Sequence, residues 1–115
     1  MPMLYLYFIE DLKYITFVNG IAEVDVPARL LGSLPLIGAE RPETERLHRL
    51  MRIIRRKGYG GAPRIVVQVD AQGQWLVIDG GHRITAARRI AREFWTNLPS
   101  PKVINVHFLL HQCRR

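Results

Sequence analysis

Cysteine is nearly missing. Cys113 is the only one in 115 residues, so no disulfide can close within the chain and no multi-cysteine zinc site can be built. Serine is almost as scarce: Ser33 and Ser100 are the only two. Neither sits in a Gly-x-Ser-x-Gly elbow, which argues against serine hydrolase chemistry. No run of about 18 apolar residues occurs, so no membrane span is legible. The opening MPMLYLYFIEDLKY has apolar residues but no basic leader and no small-residue cleavage site. It is not read as a signal peptide, and a cytoplasmic location is the default expectation. Internal repeats and low-complexity tracts are also missing.

Acids become rare after position 45. Residues 46–115 hold Asp70, Asp79 and Glu93 against fourteen bases, a net of +11, whereas residues 1–45 hold seven acids and three bases, a net of −4. The whole chain is +7. This reversal points to an anionic partner for the second part: a nucleotide, a nucleic acid or an acidic protein. The rest of the composition, 48% apolar and 23% charged, is that of a single globular domain able to fold on its own core.

Residues 3–18 are rich in aromatic and β-branched side chains and predict a strand or short hairpin, with a turn at Asn19-Gly20. Residues 21–26 set Ile21, Val24 and Val26 against Glu23 and Asp25, a strand that Pro27 ends. Gly32, Pro35, Gly38 and Pro42 predict loop over 32–42. In 43–57, Leu47, Leu50, Met51 and Ile54 recur at helical spacing. Glu43 and Glu45 fall in the first turn and Arg55, Arg56 and Lys57 in the last, as the macrodipole favours, and Gly58 is the stop. Residues 64–69 and 74–78 read as a hairpin about Asp70–Gly73. A second helix over 82–94 would bury Ile84, Ala87, Ile90, Ala91 and Phe94. The last strand, 102–110, sets Ile104, Val106, Phe108 and Leu110 against Val103, Asn105, His107 and Leu109. The order strand, helix, strand, strand, helix, strand predicts an α+β domain, a small mixed sheet with packed helices.

Asp79-Gly80-Gly81-His82-Arg83 is the segment that carries chemistry. A strand runs through two glycines into a helix whose first amides and positive end attract anions. Glycine lets a phosphate approach the backbone closely. His82 and Arg83 add donors, and a guanidinium can grip two phosphate oxygens at once. The plainer reading makes Asp79 the helix N-cap, Gly80-Gly81 a tight turn and Arg83 a solvated charge. A capping carboxylate would repel phosphate. If phosphate binds, Asp79 is expected instead to hold a metal ion such as Mg2+ or to meet a proton-bearing substrate group.

The box Ile78-Asp79-Gly80-Gly81-His82-Arg83-Ile84-Thr85-Ala86-Ala87 resembles that of the ParB/sulfiredoxin-like superfamily, the amino-terminal domain of ParB proteins. Glu23–Pro27, the helix ending at Lys57-Gly58, Ala62–Val67 and the closing strand Val103–Leu110 follow the same order. The resemblance spans about 21–110, leaving 1–20 as an apolar extension and 111–115 as a basic tail. It implies a helix start that binds the phosphates of CTP or ATP, with Mg2+, through Gly80, Gly81, His82 and Arg83. It also implies a role in partition or regulation, linked to DNA or a partner protein. In kinase-like members an acidic residue near the box is catalytic, which points to Asp79 and makes a small-molecule kinase or nucleotide hydrolase the alternative. The sulfiredoxin box carries a cysteine, and this one does not, so that chemistry is not expected. Only His111–Arg115 follow the last strand, too few for a recognition helix.

The helix 43–57 also presents Arg46, Arg49, Arg52, Arg55, Arg56 and Lys57. Of these, Arg49, Arg52 and Arg56 are the candidates for non-specific contact with a nucleic acid backbone, against a solvated helical face. No metal site is expected from the four histidines: His82 alone lies in a candidate site, and His107 reads as a packed strand residue. Trp75 and Trp95 read as packing residues. A degenerate interaction module is the remaining reading. The extension would then add an edge strand, pair two copies into a homodimer or cover the core.

Overall fold

Strict alternation of burial builds the sheet. The computed structural model describes residues 4–59, 62–97 and 105–113, with the backbone alone for 93–97. In chain order it contains β1 (Leu4–Tyr5), a 3-10 helix (Ile9–Tyr14), β2 (Ile21–Pro27), α1 (Ala28–Leu31), β3 (Leu36–Ile37), α2 (Glu45–Lys57), β4 (Ile65–Val69), β5 (Trp75–Asp79), α3 (Gly81–Asn97) and β6 (Asn105–Gln112). Among the described residues the strands form one sheet in the order β1-β2-β6-β4-β5-β3. It is mixed: β2 and β6 are antiparallel, as are β4 and β5, whereas β6 runs parallel to β4. The expected α+β class is therefore observed.

Period-two side-chain alternation sends Ala22, Val24 and Val26, Ile65, Val67 and Val69, and Val106, Phe108 and Leu110 to one face, where all are buried. There α3 packs on β4 and against both α1 and α2. Ile84, Ala86, Ala87, Ile90 and Ala91 line its inner side, and the alanines permit the close approach. The other face carries Glu23, Asp25, His107 and Leu109, all half-exposed. The stripe on α2 is as expected, with Leu47, Met51 and Ile54 buried and Leu50 partly buried against the core.

Local chemistry overrides the pattern in several places. Residues 3–18 are mostly not strand: after Leu4–Tyr5 the chain turns into the 3-10 helix. The Asp11 carboxylate accepts the Phe8 amide at 3.2 Å, which closes a turn where an extended chain was expected. Ile21 lies with Glu23 and Asp25, because positions two apart share a face; Ala22 takes the inner place. The loop 32–42 is preceded by the one-turn α1 and interrupted by β3, which pairs in parallel with β5 through Leu36 and Ile37. Glu43 precedes α2, whose N-cap is Thr44, and bonds Arg89 instead. The side chains of Phe94 and Trp95, and residues 102–104 of the expected last strand, lie outside the described residues.

Thr44 Oγ1 accepts the Leu47 amide at 3.3 Å. Thr44→Ala removes that bond from an otherwise unpaired helix donor. The expected loss is about 1 kcal/mol, read as a shift in the urea midpoint with an unchanged slope.

Candidate functional site

Gly80 is where β5 becomes α3. Its φ is +93°, a conformation natural to glycine. A Cβ there would also sit 3.0 Å from Ile65 Cγ1 and 3.3 Å from Arg83 Nη2. The Gly80 carbonyl accepts the Ile84 amide at 2.9 Å, so α3 begins with the amides of Gly81, His82 and Arg83 ahead of its first internal bond. Asp79 is not the cap: it ends β5, and Gly80, which has no side chain to offer, comes between. Its carboxylate faces Arg83 Nη2 at 3.4 Å and is exposed. The carboxylate therefore does not cap the helix amides, but it shares the cleft and faces the Arg83 guanidinium.

An open cleft of about 970 Å³ lies over this corner, at the large end of the range for small-molecule sites. Its lining mixes five cationic residues, Arg41, Arg46, Arg64, His82 and Arg83, with apolar Leu50, Pro63, Val66 and Ile78. Asp79 is its one carboxylate among the described residues. The cations come from four separate stretches of chain: the loop before α2, the first turn of α2, the residue before β4, and the first turn of α3.

These cations differ in their ties. Arg64 bonds Glu23, while its own carbonyl accepts Arg83 Nη1 at 3.5 Å. Arg83 is thus turned into the cleft and held at both ends. Arg41 Nη1 donates to the carbonyls of Gly38 at 2.8 Å and Glu40 at 2.9 Å. The rest of its guanidinium lies over Gly81, where a Cβ would fall 2.3 Å from Nη2. A side chain at Gly81 would have to displace the Arg41 guanidinium. The loop carrying Arg41 is fastened to α3 by Thr85, a buried hydroxyl beside the carbonyls of Ala39 and Gly81. Arg88 adds a bond to the Leu31 carbonyl at 2.9 Å. Tyr59, whose hydroxyl donates to the Pro63 carbonyl at 3.2 Å, is buried, and burial pushes its phenol up to about 12 against the opposing charge of Arg83.

Of the residues expected from sequence, Asp79, Gly80, Gly81, His82 and Arg83 are together in the cleft. Arg49, Arg52 and Arg56 do not line it; they are exposed along α2, and Arg52 bonds Glu45 at 3.0 Å. Arg41, Arg46 and Arg64 were missed. Arg46 was visible as part of a basic helix, but nothing local marks Arg41 or Arg64. His107 and His111 are four residues apart, a ligand spacing on a helix. On β6 that spacing separates their backbones by about 13 Å. His107 Nδ1 instead meets Asp25 Oδ1 at 3.1 Å.

Desolvation, with the positive charges of Arg46 and Arg41 next, holds the His82 imidazole below its usual range. Arg46→Ala is therefore expected to raise the His82 midpoint, followed by the imidazole proton resonances against pH. An anion in the cleft would act in the same direction. Anion binding should thus take up a proton, and affinity should rise as pH falls through the imidazole range.

No family model, curated protein or solved structure matches this chain. Among the described residues, no helix is long and apolar enough to cross a membrane.

Proposed function

We propose that this protein binds the phosphate chain of a nucleoside triphosphate, CTP or ATP, at the start of α3. The observation that supports this reading is the convergence of Arg41, Arg46, Arg64, His82 and Arg83 on the Gly80–Gly81 corner. Four guanidiniums against one carboxylate make an electrostatic seat for several phosphate oxygens. Apolar lining from Leu50, Val66 and Ile78 favours a nucleotide over inorganic phosphate, since a ring can pack where a free phosphate cannot. On this reading Asp79, the cleft's carboxylate, would meet a Mg2+ ion carried on the phosphates, as magnesium sites commonly combine one or two carboxylates with substrate oxygens. The resemblance of residues 21–110 to ParB/sulfiredoxin-like domains favours the same ligand class. It also favours a role in partition or regulation that links the nucleotide state to DNA or to a partner protein. Exposed Arg49, Arg52 and Arg56 then serve as backbone contacts without base readout. Calorimetric titration with CTP, ATP and ADP in the presence of magnesium tests the reading. Micromolar to sub-millimolar binding of a triphosphate is expected, and no heat at millimolar nucleotide would sink it.

The exposed position of Asp79 at the cleft edge favours one further reading, a small-molecule phosphotransferase with Asp79 as general base. That reading requires nucleotide consumption dependent on an added hydroxyl compound and abolished by Asp79→Asn. Turnover indifferent to that substitution removes it.

A further inference from the structure

Residues 4–18 concentrate the exposed apolar side chains. Of the ten large apolar side chains exposed among the described residues, six lie here: Leu4, Tyr5, Tyr7, Phe8, Tyr14 and Val18. Tyr7, Phe8 and Tyr14 are 60%, 61% and 70% exposed. The rings adjoin. The centroids of Tyr5 and Tyr7 are 4.7 Å apart, and Tyr5 and Tyr14 line one small cavity with Asp11. The segment is nonetheless fixed. Leu6 is buried, its amide donates to the Asp25 carbonyl at 2.9 Å, and Arg29 donates to the Tyr7 carbonyl. Side chains carried on a fixed backbone lose less freedom on contact than those on a loose one.

Area and charge decide what covers this surface. At about 200 Å² per aromatic side chain, Tyr5, Tyr7, Phe8 and Tyr14 leave roughly 450 Å² open. Each partner in a standard protein interface contributes about 800 Å², a little over half of it apolar, so the four rings supply what one half needs. The patch has no cationic excess, since Glu10 and Asp11 balance Lys13 and Arg29. It therefore offers rings for stacking but no grip on a nucleic acid backbone. In a chain of net charge +7, a neutral patch is also where a second copy approaches at least electrostatic cost. The 3-10 helix adds self-complementarity. At three residues per turn, Ile9 and Leu12 share the face packed on the core, and Glu10 and Lys13 share an exposed one. When two such helices run antiparallel across a two-fold axis, the acid of each copy meets the base of the other. We propose that residues 4–18 form an isologous interface between two copies of this chain, with Tyr7, Phe8 and Tyr14 as anchors and Glu10 paired with Lys13 of the partner subunit. This interface shares no residue with the cleft and does not rest on the nucleotide reading.

Sedimentation velocity of the full chain over a wide concentration range tests the proposal, with every variant checked for native circular dichroism. The unaltered protein should pass from monomer to dimer at micromolar concentration. Tyr7→Ser and Phe8→Ser should each weaken the dimer about tenfold or more, the scale of a buried aromatic anchor. Ile53→Ser, exposed on α2, should leave it within about twofold, as most residues outside such anchors do. Glu10→Lys and Lys13→Glu should each weaken it too, because like charges then face each other. An equimolar mixture of those two variants should associate as a heterodimer, since opposite charges meet again at both contacts. The proposal is overturned if the unaltered chain stays monomeric at its highest soluble concentration, or if Tyr7→Ser and Phe8→Ser leave association unchanged. It is overturned equally if Ile53→Ser weakens the dimer as much as they do, or if the mixture associates no better than its components.

Discussion

Arg83→Ala should lower triphosphate affinity by about 10- to 100-fold, the range expected when one hydrogen-bonded charge is removed from a phosphate site. The side chain lines the cleft and is fixed from two sides, by Asp79 at 3.4 Å and by the Arg64 carbonyl at 3.5 Å. A guanidinium already oriented loses little freedom on binding, so its removal costs more than loss of a mobile surface arginine. Isothermal titration at fixed ionic strength measures the effect. Because Arg49 lies outside the cleft, Arg49→Ala should leave the same affinity within about twofold, as expected for an exposed charge. Equal losses from the two substitutions would mean that only net charge matters and that the cleft has no special status.

Phe108→Ala should have the largest effect on stability. Phe108 is fully buried on the strand that lies between β2 and β4. Its ring meets that of Trp75 edge to face, with centroids 6.2 Å apart. Truncating such a phenylalanine costs about 3–5 kcal/mol, against a total of about 5–15 kcal/mol for a typical domain. The thermal midpoint should fall by roughly 15 °C or more, measured by circular dichroism. A change of only a few degrees would show that the neighbouring side chains collapse into the space. Leu76→Ala on the exposed surface of β5 provides the contrast, with an expected change within about 1 kcal/mol.

Much of the scaffold was legible because its signals are local. The stripe of Leu47, Met51 and Ile54 marks α2, and Thr44 caps it one residue before the helix begins. The hairpin β4–β5 follows from alternating valines about Asp70 and Gly73. The strand-to-helix corner at Gly80 was visible as a glycine pair before an apolar helical face. What stayed hidden depended on contacts between distant residues. β3 is two residues long and flanked by Pro35 and Gly38, so no periodicity can announce it; it exists because β5 offers an edge. The 3-10 helix exists because one carboxylate, Asp11, closes a turn that the surrounding aromatics do not predict. In the cleft, Arg41 and Gly81 are forty positions apart, and their contact follows from the Thr85 and Arg88 bonds that fasten the loop to α3. A charge count reports a positive half of the chain but not which five side chains line one cleft.

The place of β6 has a consequence for how the molecule comes into being. β2 and β4 both pair with it, and neither pairs with the other. During synthesis the earlier strands must wait with unsatisfied inner edges until residues 105–112 leave the ribosome. The nascent chain is then open to capture by chaperones or by other unfinished chains. Refolding should be correspondingly slow for a domain of this size, since the pairings of β2 with β6, Val24 with Phe108 among them, close loops of about eighty residues before the sheet becomes continuous.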